Sequence, residues 1–193
     1  MRSVAPLLVS RSDTYGGAAR AAYRLHRAFC SHGVPSRMQV LLKGSDDSRI
    51  EAAASKLARV WGMARGFIGP LPLRLQRSQN PVLHSASWFP SRLDNTLNRT
   101  KADVLHLHWV CGETLSVEAI GRIDKPLVWT LHDMWPFCGA EHYAPTHPDA
   151  RFRVGYHSKN RPAEHSGVDL DRWTWQRKRR SWRQPMHIIA PSQ

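Results

Sequence analysis

Gly16 and Gly17 stand between a short apolar run, Val4 to Val9, and a segment rich in alanine, AARAAYRLHRAF. The apolar run has the length of a buried strand. In the segment that follows, Ala18, Ala22, Leu25 and Phe29 recur at helical spacing, so the periodicity predicts a helix. Gly33 is a natural stop for that helix, and Arg37 to Leu42 is the next strand candidate. Strand, glycine turn, helix, strand is the opening unit of a parallel sheet with a crossover helix, which points to an α/β fold. Glycine lets backbone approach a ligand with no side chain between them. The helix start beyond it offers unpaired amides and the positive end of the dipole. A phosphate or a sugar hydroxyl could sit there, and a purely structural tight turn fits the same residues. The sequence lacks the full G-x-G-x-x-G fingerprint and the G-K-[ST] of a Walker loop.

Farther along, Ile50, Ala53, Ala54, Leu57 and Trp61 form a second amphipathic stripe, closed by Gly62. Gly66 to Pro90 is rich in Gly and Pro and reads as a long connection or a mobile lid, whose Leu71, Leu73 and Leu75 can pack along the domain. Residues 45–100 as a whole read as a variable helical or irregular connection. Phe89, Leu93 and Leu97 suggest a helix with Pro90 near its start. The run VLHLHW after Asp103 is a candidate central strand covered on both faces. Ser116 can cap a helix bearing Ala119 and Ile123, with Glu118 in its first turn. Leu127 to Leu131 and His187 to Ala190 complete the strand candidates.

Ligands of open parallel sheets bind beyond the carboxyl ends of the strands. His132 and Asp133 follow a buried strand directly, so His132 is placed to hydrogen-bond a polar substrate and Asp133 to orient it. Trp135, Phe137 and Tyr143 could wall a sugar ring, or they could hold a structural loop by aromatic packing. His106 and His108 alternate with leucines and share one strand face. A metal site needs a third and usually a fourth ligand, and none is evident in sequence, so pocket-lining or core histidines are the expectation and no metal. Cys138 with His142 lacks the second cysteine pair of a zinc site. A Cys–His hydrolase using Cys138 or Cys111 has no local signature behind it.

The chain of 193 residues carries 28 Lys and Arg against 15 Asp and Glu, a formal charge of +13, which favours anionic partners. Much of that charge lies in the tryptophan-rich segment over 165–185. Its arginines could contact an anionic membrane surface. Alternatively Trp173, Trp175 and Trp182 anchor a late helix whose charges face water. Nucleic acid is disfavoured, because no reader module accompanies the arginines. Three widely spaced cysteines argue against a disulfide scaffold and for a reducing compartment. No run approaches the length of a membrane span.

The stretches SDTYGGAARAAYRLHRAF, ADVLHLHWVCGETLSVEAIGRIDKPLVWTLHDMWPFCGAEHY, GVDLDRWTWQRKRRSW and IIAPSQ together resemble the N-terminal, acceptor-side domain of retaining GT-B glycosyltransferases of the family 4 type. The likeness is to the branch of exopolysaccharide and colanic-acid-like synthesis. It implies that residues 1–193 form a Rossmann-like open parallel sheet flanked by helices, one half of a GT-B fold, truncated before the donor-binding domain. The implied reaction moves a sugar from a nucleotide-sugar donor to a glycan or lipid-linked acceptor, with no separate cofactor. By the same likeness Gly16 and Gly17 would lie near the donor phosphates and the acceptor. His132 would approach the transferred sugar, with Asp133, Trp135 and His108 as cleft neighbours. The expected partners are the two substrates and a separate donor-binding domain. The expected setting is cytoplasmic, with peripheral contact at the inner membrane face. A non-catalytic domain bound to an anionic membrane is the alternative reading.

Overall fold

The computed structural model describes residues 3–52, 56–78 and 80–190. The opening apolar run forms β1 (Pro6–Ser12), buried along nearly its whole length. After a turn comes α1 (Gly17–Ser31), then β2 (Arg37–Leu42) and the two-residue β3 (Ile50–Glu51). Next are α2 (Lys56–Ile68), a 3₁₀ turn over Leu71–Leu75, β4 (Gln76–Arg77) and α3 (Leu93–Asn98). The chain continues through β5 (Val104–Leu107), α4 (Val117–Gly121) and β6 (Leu127–Thr130). It ends in α5 (Arg151–Val154), β7 (Ser166–Gly167), α6 (Leu170–Ser181) and β8 (Met186–Ile189).

Six strands form one sheet in the order β3-β2-β1-β5-β6-β8, and every pairing is parallel. Numbered by chain order within the sheet, this is the doubly wound 3-2-1-4-5-6 arrangement. The expected Rossmann-like α/β class is therefore what the chain adopts. Strand order reverses between β1 and β5, and a crevice opens there beyond the strand ends.

The sheet's two faces are packed separately, because neighbouring side chains on a strand point to opposite sides. Leu7 and Val9 join Leu105, Leu107, Leu127 and Trp129 in the larger core. Leu8 joins Ala22, Met38, Val40 and Ile50 in the smaller one, under α1. Each fully buried Leu or Ile contributes roughly 1.5–3 kcal/mol. The buried stripe of α1 runs through Ala19, Ala22 and His26, so Ala19 and His26 take the places expected of Ala18. Leu25 and Phe29 pack partly buried beside it. His26 is accommodated because its Nδ1 lies 2.9 Å from Ser36 Oγ. Ser116 caps α4 as expected, its Oγ accepting the Ala119 amide at 3.2 Å.

Three expectations fail. Ile50 belongs to β3, paired with Met38, not to a helix. Ala53 and Ala54 lie outside the described residues. Gly62 does not end α2 but sits inside it, where a Cβ would come within 2.4 Å of Leu41 Cδ1. A larger residue there would require the Leu41 side chain on β2 to move aside. Leu71 and Leu75 are exposed instead of packed along the domain.

The turn between β1 and α1 is built from both ends. Ser12 Oγ accepts the amides of Thr14 and Tyr15, each at 3.2 Å. Buried Asp13 accepts the amides of Gly44 and Ser45 at 2.8 and 2.9 Å and the Ser45 hydroxyl at 2.6 Å. Those bonds tie this turn to the loop after β2. Gly16 then takes φ 93° and ψ 164°, a region essentially closed to other residues. Gly17 is the first residue of α1, and a Cβ on it would meet nothing within 4 Å. The two glycines should therefore respond differently to alanine. Gly16→Ala is expected to cost about 1–3 kcal/mol in urea unfolding. Gly17→Ala should be neutral or stabilise by about 0.4–1 kcal/mol. Equal losses in both variants would contradict this division of labour.

Candidate functional site

A pocket of about 400 Å³ opens at the switch point, lined by residues from the ends of β1, β5 and β6. Ser10, Arg11 and Ser12 come from β1, Gly16 and Gly17 from the turn, and His132 and Asp133 from just past β6. The exposed amide end of α1 and the strand-end histidine thus face one cavity. Tyr143 and Trp109 add aromatic surface to it.

His132 is set by its neighbour across the sheet. Its Nε2 lies 3.0 Å from His108 Nδ1, and the two rings stack at 5.3 Å. His108 in turn stacks on His106 at 4.6 Å, and His106 Nε2 meets Thr130 Oγ1 at 2.7 Å. Burial lowers the pKa of all three, aided by mutual repulsion of His106 and His108 with their histidine neighbours. His106 falls to about 4 and His108 to about 3. The stack is neutral near pH 7, so in the His108–His132 contact one ring's N–H donates to the other's lone pair. Among the described residues no group of three or more His, Cys, Asp or Glu is arranged to hold a metal ion.

Asp133 is held on every side. Its Oδ1 accepts the Trp135 amide at 3.0 Å. Its Oδ2 accepts Trp109 Nε1 at 3.0 Å and contacts His142 Nδ1 at 2.6 Å. Burial acts to raise the Asp133 pKa, but the His142 contact and the other donors outweigh it and the net shift is downward. His142 is buried and its Nε2 reaches Ser85 Oγ at 2.8 Å. The loop after β6 is therefore fastened to residues 83–85, where backbone bonds also run from Ser85 to Ala140 at 2.7 Å and from His142 to Leu83 at 2.9 Å.

Trp135 is not a wall of this pocket. It is 1% exposed, its Nε1 donates to Ser85 O at 2.8 Å, and its ring packs in the main core beside Trp129 and Trp182. A side chain so enclosed cannot stack on a sugar. Phe137 is exposed but lies against Phe152, with centroids 5.5 Å apart. His108 reaches the pocket only through His132. Arg11, Ser12, Tyr15, Trp109 and His142 were not anticipated. Arg11 to Tyr15 lead directly into the glycine turn, and Trp109 follows the end of β5, so the strand-end rule could have found them. His142 has no local signal.

Cys111 and Cys138 are buried and do not form a nucleophile. Burial drives the Cys111 thiol well above its usual range and Cys138 to about 12. All three cysteines are free. Among the described residues no helix is long and apolar enough to cross a membrane.

The depressed histidines make stability depend on pH with a defined sign. Unfolded histidine binds its proton near pH 6.5, while folded His108 does so near 3. The unfolded state therefore takes up more protons between those values, and stability falls as pH drops through that window. The loss is about 1.4 kcal/mol per pH unit for each histidine fully in its window. Other groups titrate too, among them Glu141, which burial pushes up to about 8. The difference between wild type and His108→Asn isolates the histidine. Between pH 6.5 and 5 the variant's urea-unfolding free energy should depend less steeply on acidification. Parallel curves would show that His108 does not titrate on unfolding.

No curated protein and no solved structure matches the chain. The family model described as Glycosyltransferase Family 4 matches residues 15–193, a span that includes the glycine turn, the histidine stack and the Asp133 loop, and the chain belongs to that family.

Proposed function

We propose that the switch-point pocket is the acceptor-side wall of a sugar-transfer site in a retaining glycosyltransferase of exopolysaccharide synthesis. Membership of the glycosyltransferase family implies nucleotide-sugar donor and acceptor substrates. The finer reading rests on one observation. The open end of α1 at Gly16-Gly17 and the imidazole of His132 line the same cavity at the carboxyl edge of the sheet.

In this reading the amides at the start of α1 receive the donor phosphates or an acceptor hydroxyl, favoured by the helix dipole. His132 hydrogen-bonds the transferred sugar. With Nε2 committed to His108, its Nδ1 is the atom left for a substrate hydroxyl. Asp133 acts as a positioning residue, since both its oxygens are already taken by protein donors. The acceptor is a glycan or a lipid-linked sugar. A separate donor-binding domain supplies the opposite wall, grips the nucleotide and stabilises the departing diphosphate.

The test combines the full chain with a matched donor-binding domain and a panel of UDP- and GDP-linked hexoses. Transfer to a lipid-linked or oligosaccharide acceptor is followed by product mass, and the anomeric configuration of the new bond by NMR. Retention is expected. His132→Ala should lower kcat by about 10²-fold or more. Gly17→Trp should abolish transfer by filling the pocket while leaving the fold intact. Inversion would reject the retaining mechanism, and transfer unchanged in both variants would reject the site.

A further inference from the structure

A second cavity, of about 430 Å³, lies against α6 and shares no residue with the switch-point pocket. Arg172, Gln176, Arg179, Arg180 and Arg183 line it from α6 and its exit, and Tyr156, His157 and Trp175 complete the wall. The spacing from 172 through 176, 179 and 180 is that of one helical face, and Arg183 follows just past the end of α6. No carboxylate lines this cavity.

Three other arginines close to α6 or the core are neutralised. Arg122 meets Asp94, Arg151 meets Asp169 and Arg177 meets Glu118, each at 2.6 Å. Among the described residues, none of the four cavity arginines has a carboxylate partner. Like charges at such spacing repel, at a small cost for each pair. The helix dipole accounts for Arg179 and Arg180 in the last turn of α6. It does not account for Arg172, whose charge stands in the first turn at the positive end. Arg172 Nε is also buried with no hydrogen-bond partner, and an unpaired buried donor costs about 1–3 kcal/mol. Two of the guanidiniums are held in place. Arg179 lies 4.8 Å above the Trp175 ring, which packs on Tyr156 at 5.5 Å. Arg183 Nε donates to Arg180 O at 3.0 Å.

We infer that this cavity is a second binding site, separate from the transfer pocket, that takes a phosphate or pyrophosphate group. Planar guanidiniums match phosphate oxygens two at a time, and several converging ones suit a doubly charged group. Trp175 offers an apolar flank to whatever carries the phosphate. The same chemistry is offered by a free phosphorylated molecule and by the headgroup of an anionic lipid.

The experiment measures the full chain with two probes. Inorganic pyrophosphate is titrated by calorimetry at low salt. Vesicles of phosphatidylcholine, with and without phosphatidylglycerol, are assayed by co-sedimentation. Arg180→Gln/Arg183→Gln removes two exposed cavity charges. Arg74→Gln/Arg92→Gln removes two exposed charges elsewhere and keeps net charge matched. Thermal unfolding checks that both variants fold. Binding to at least one probe is expected, about tenfold weaker or worse in the cavity variant and unchanged in the control. Loss confined to pyrophosphate identifies a free phosphorylated ligand, and loss confined to phosphatidylglycerol vesicles identifies a lipid headgroup. No binding to either probe overturns the inference. So does equal weakening in the two variants, which would reduce the effect to net charge.

Discussion

The carboxylate of Asp133 joins three pieces of chain beyond the ends of the sheet ladder. It receives the indole of Trp109 at the end of β5, the amide of Trp135 in its own loop, and the ring of His142. Through His142 it reaches Ser85, far back in the sequence. A buried carboxylate left unpaired is costly, and one with several donors is stabilised in place. The loop's other anchor is a buried basic group. Lys178 of α6 is buried, and its Nζ donates to the carbonyls of Trp135, Cys138 and Gly139, the last two at 3.1 and 2.7 Å. It also lies 3.6 Å from the centre of the Trp135 ring. Burial pulls its pKa down to about 7, while three acceptors and a ring face reward the charged form. One loop is thus clamped between a carboxylate at its start and a buried amine beneath it.

That clamp explains why His132 has a fixed position without a helix or strand around it. The residue leaves β6 just after Thr130, where the ladder ends. Its ring is held from one side by the stack on β5 and its backbone is bounded on the other by the fastened Asp133. The stack adds no charge, because burial keeps all three imidazoles neutral near pH 7. Within the row only His108 and His132 share a hydrogen bond, so the tautomer of His108 sets which ring nitrogen of His132 carries the proton.

Elements governed by local rules were legible in the sequence. The apolar run of β1, the capping serine of α4 and the strand ends at β5 and β6 depend on neighbours a few residues away. So does the glycine turn, and with it the meeting of Gly16, Gly17 and His132 at one edge. Distant packing hid the rest. Ile50 fits the period of a helix and also a strand of two residues, too short to show alternation. Gly62 looks like a terminator, yet it lies inside α2 against the Leu41 side chain on β2. Trp135 sits where a pocket aromatic is expected after a strand, but its direction is chosen by Ser85, 50 residues earlier, and by Lys178, 43 residues later. The basic face of α6 was visible as charge. That its arginines lack carboxylates while Arg177 and Arg151 have them could be known only from the fold.

The electrostatics of the switch-point pocket carry a further consequence for the proposed transfer. Arg11 is its one arginine or lysine among the described residues, and its Nη1 is already given to the Gly112 carbonyl. His132 is neutral and Asp133 is negative. The helix end at Gly16-Gly17 is worth about 0.3–1 kcal/mol to an anion, and at most about 2. Removing a single preorganised donor from a charge-stabilising site costs about 2.7–4 kcal/mol in the reaction barrier. A departing nucleoside diphosphate therefore gains little from this wall alone. If sugar transfer occurs here, the cations that receive its charge must face the pocket from across the cleft, and this domain's part is to orient the sugar and its acceptor.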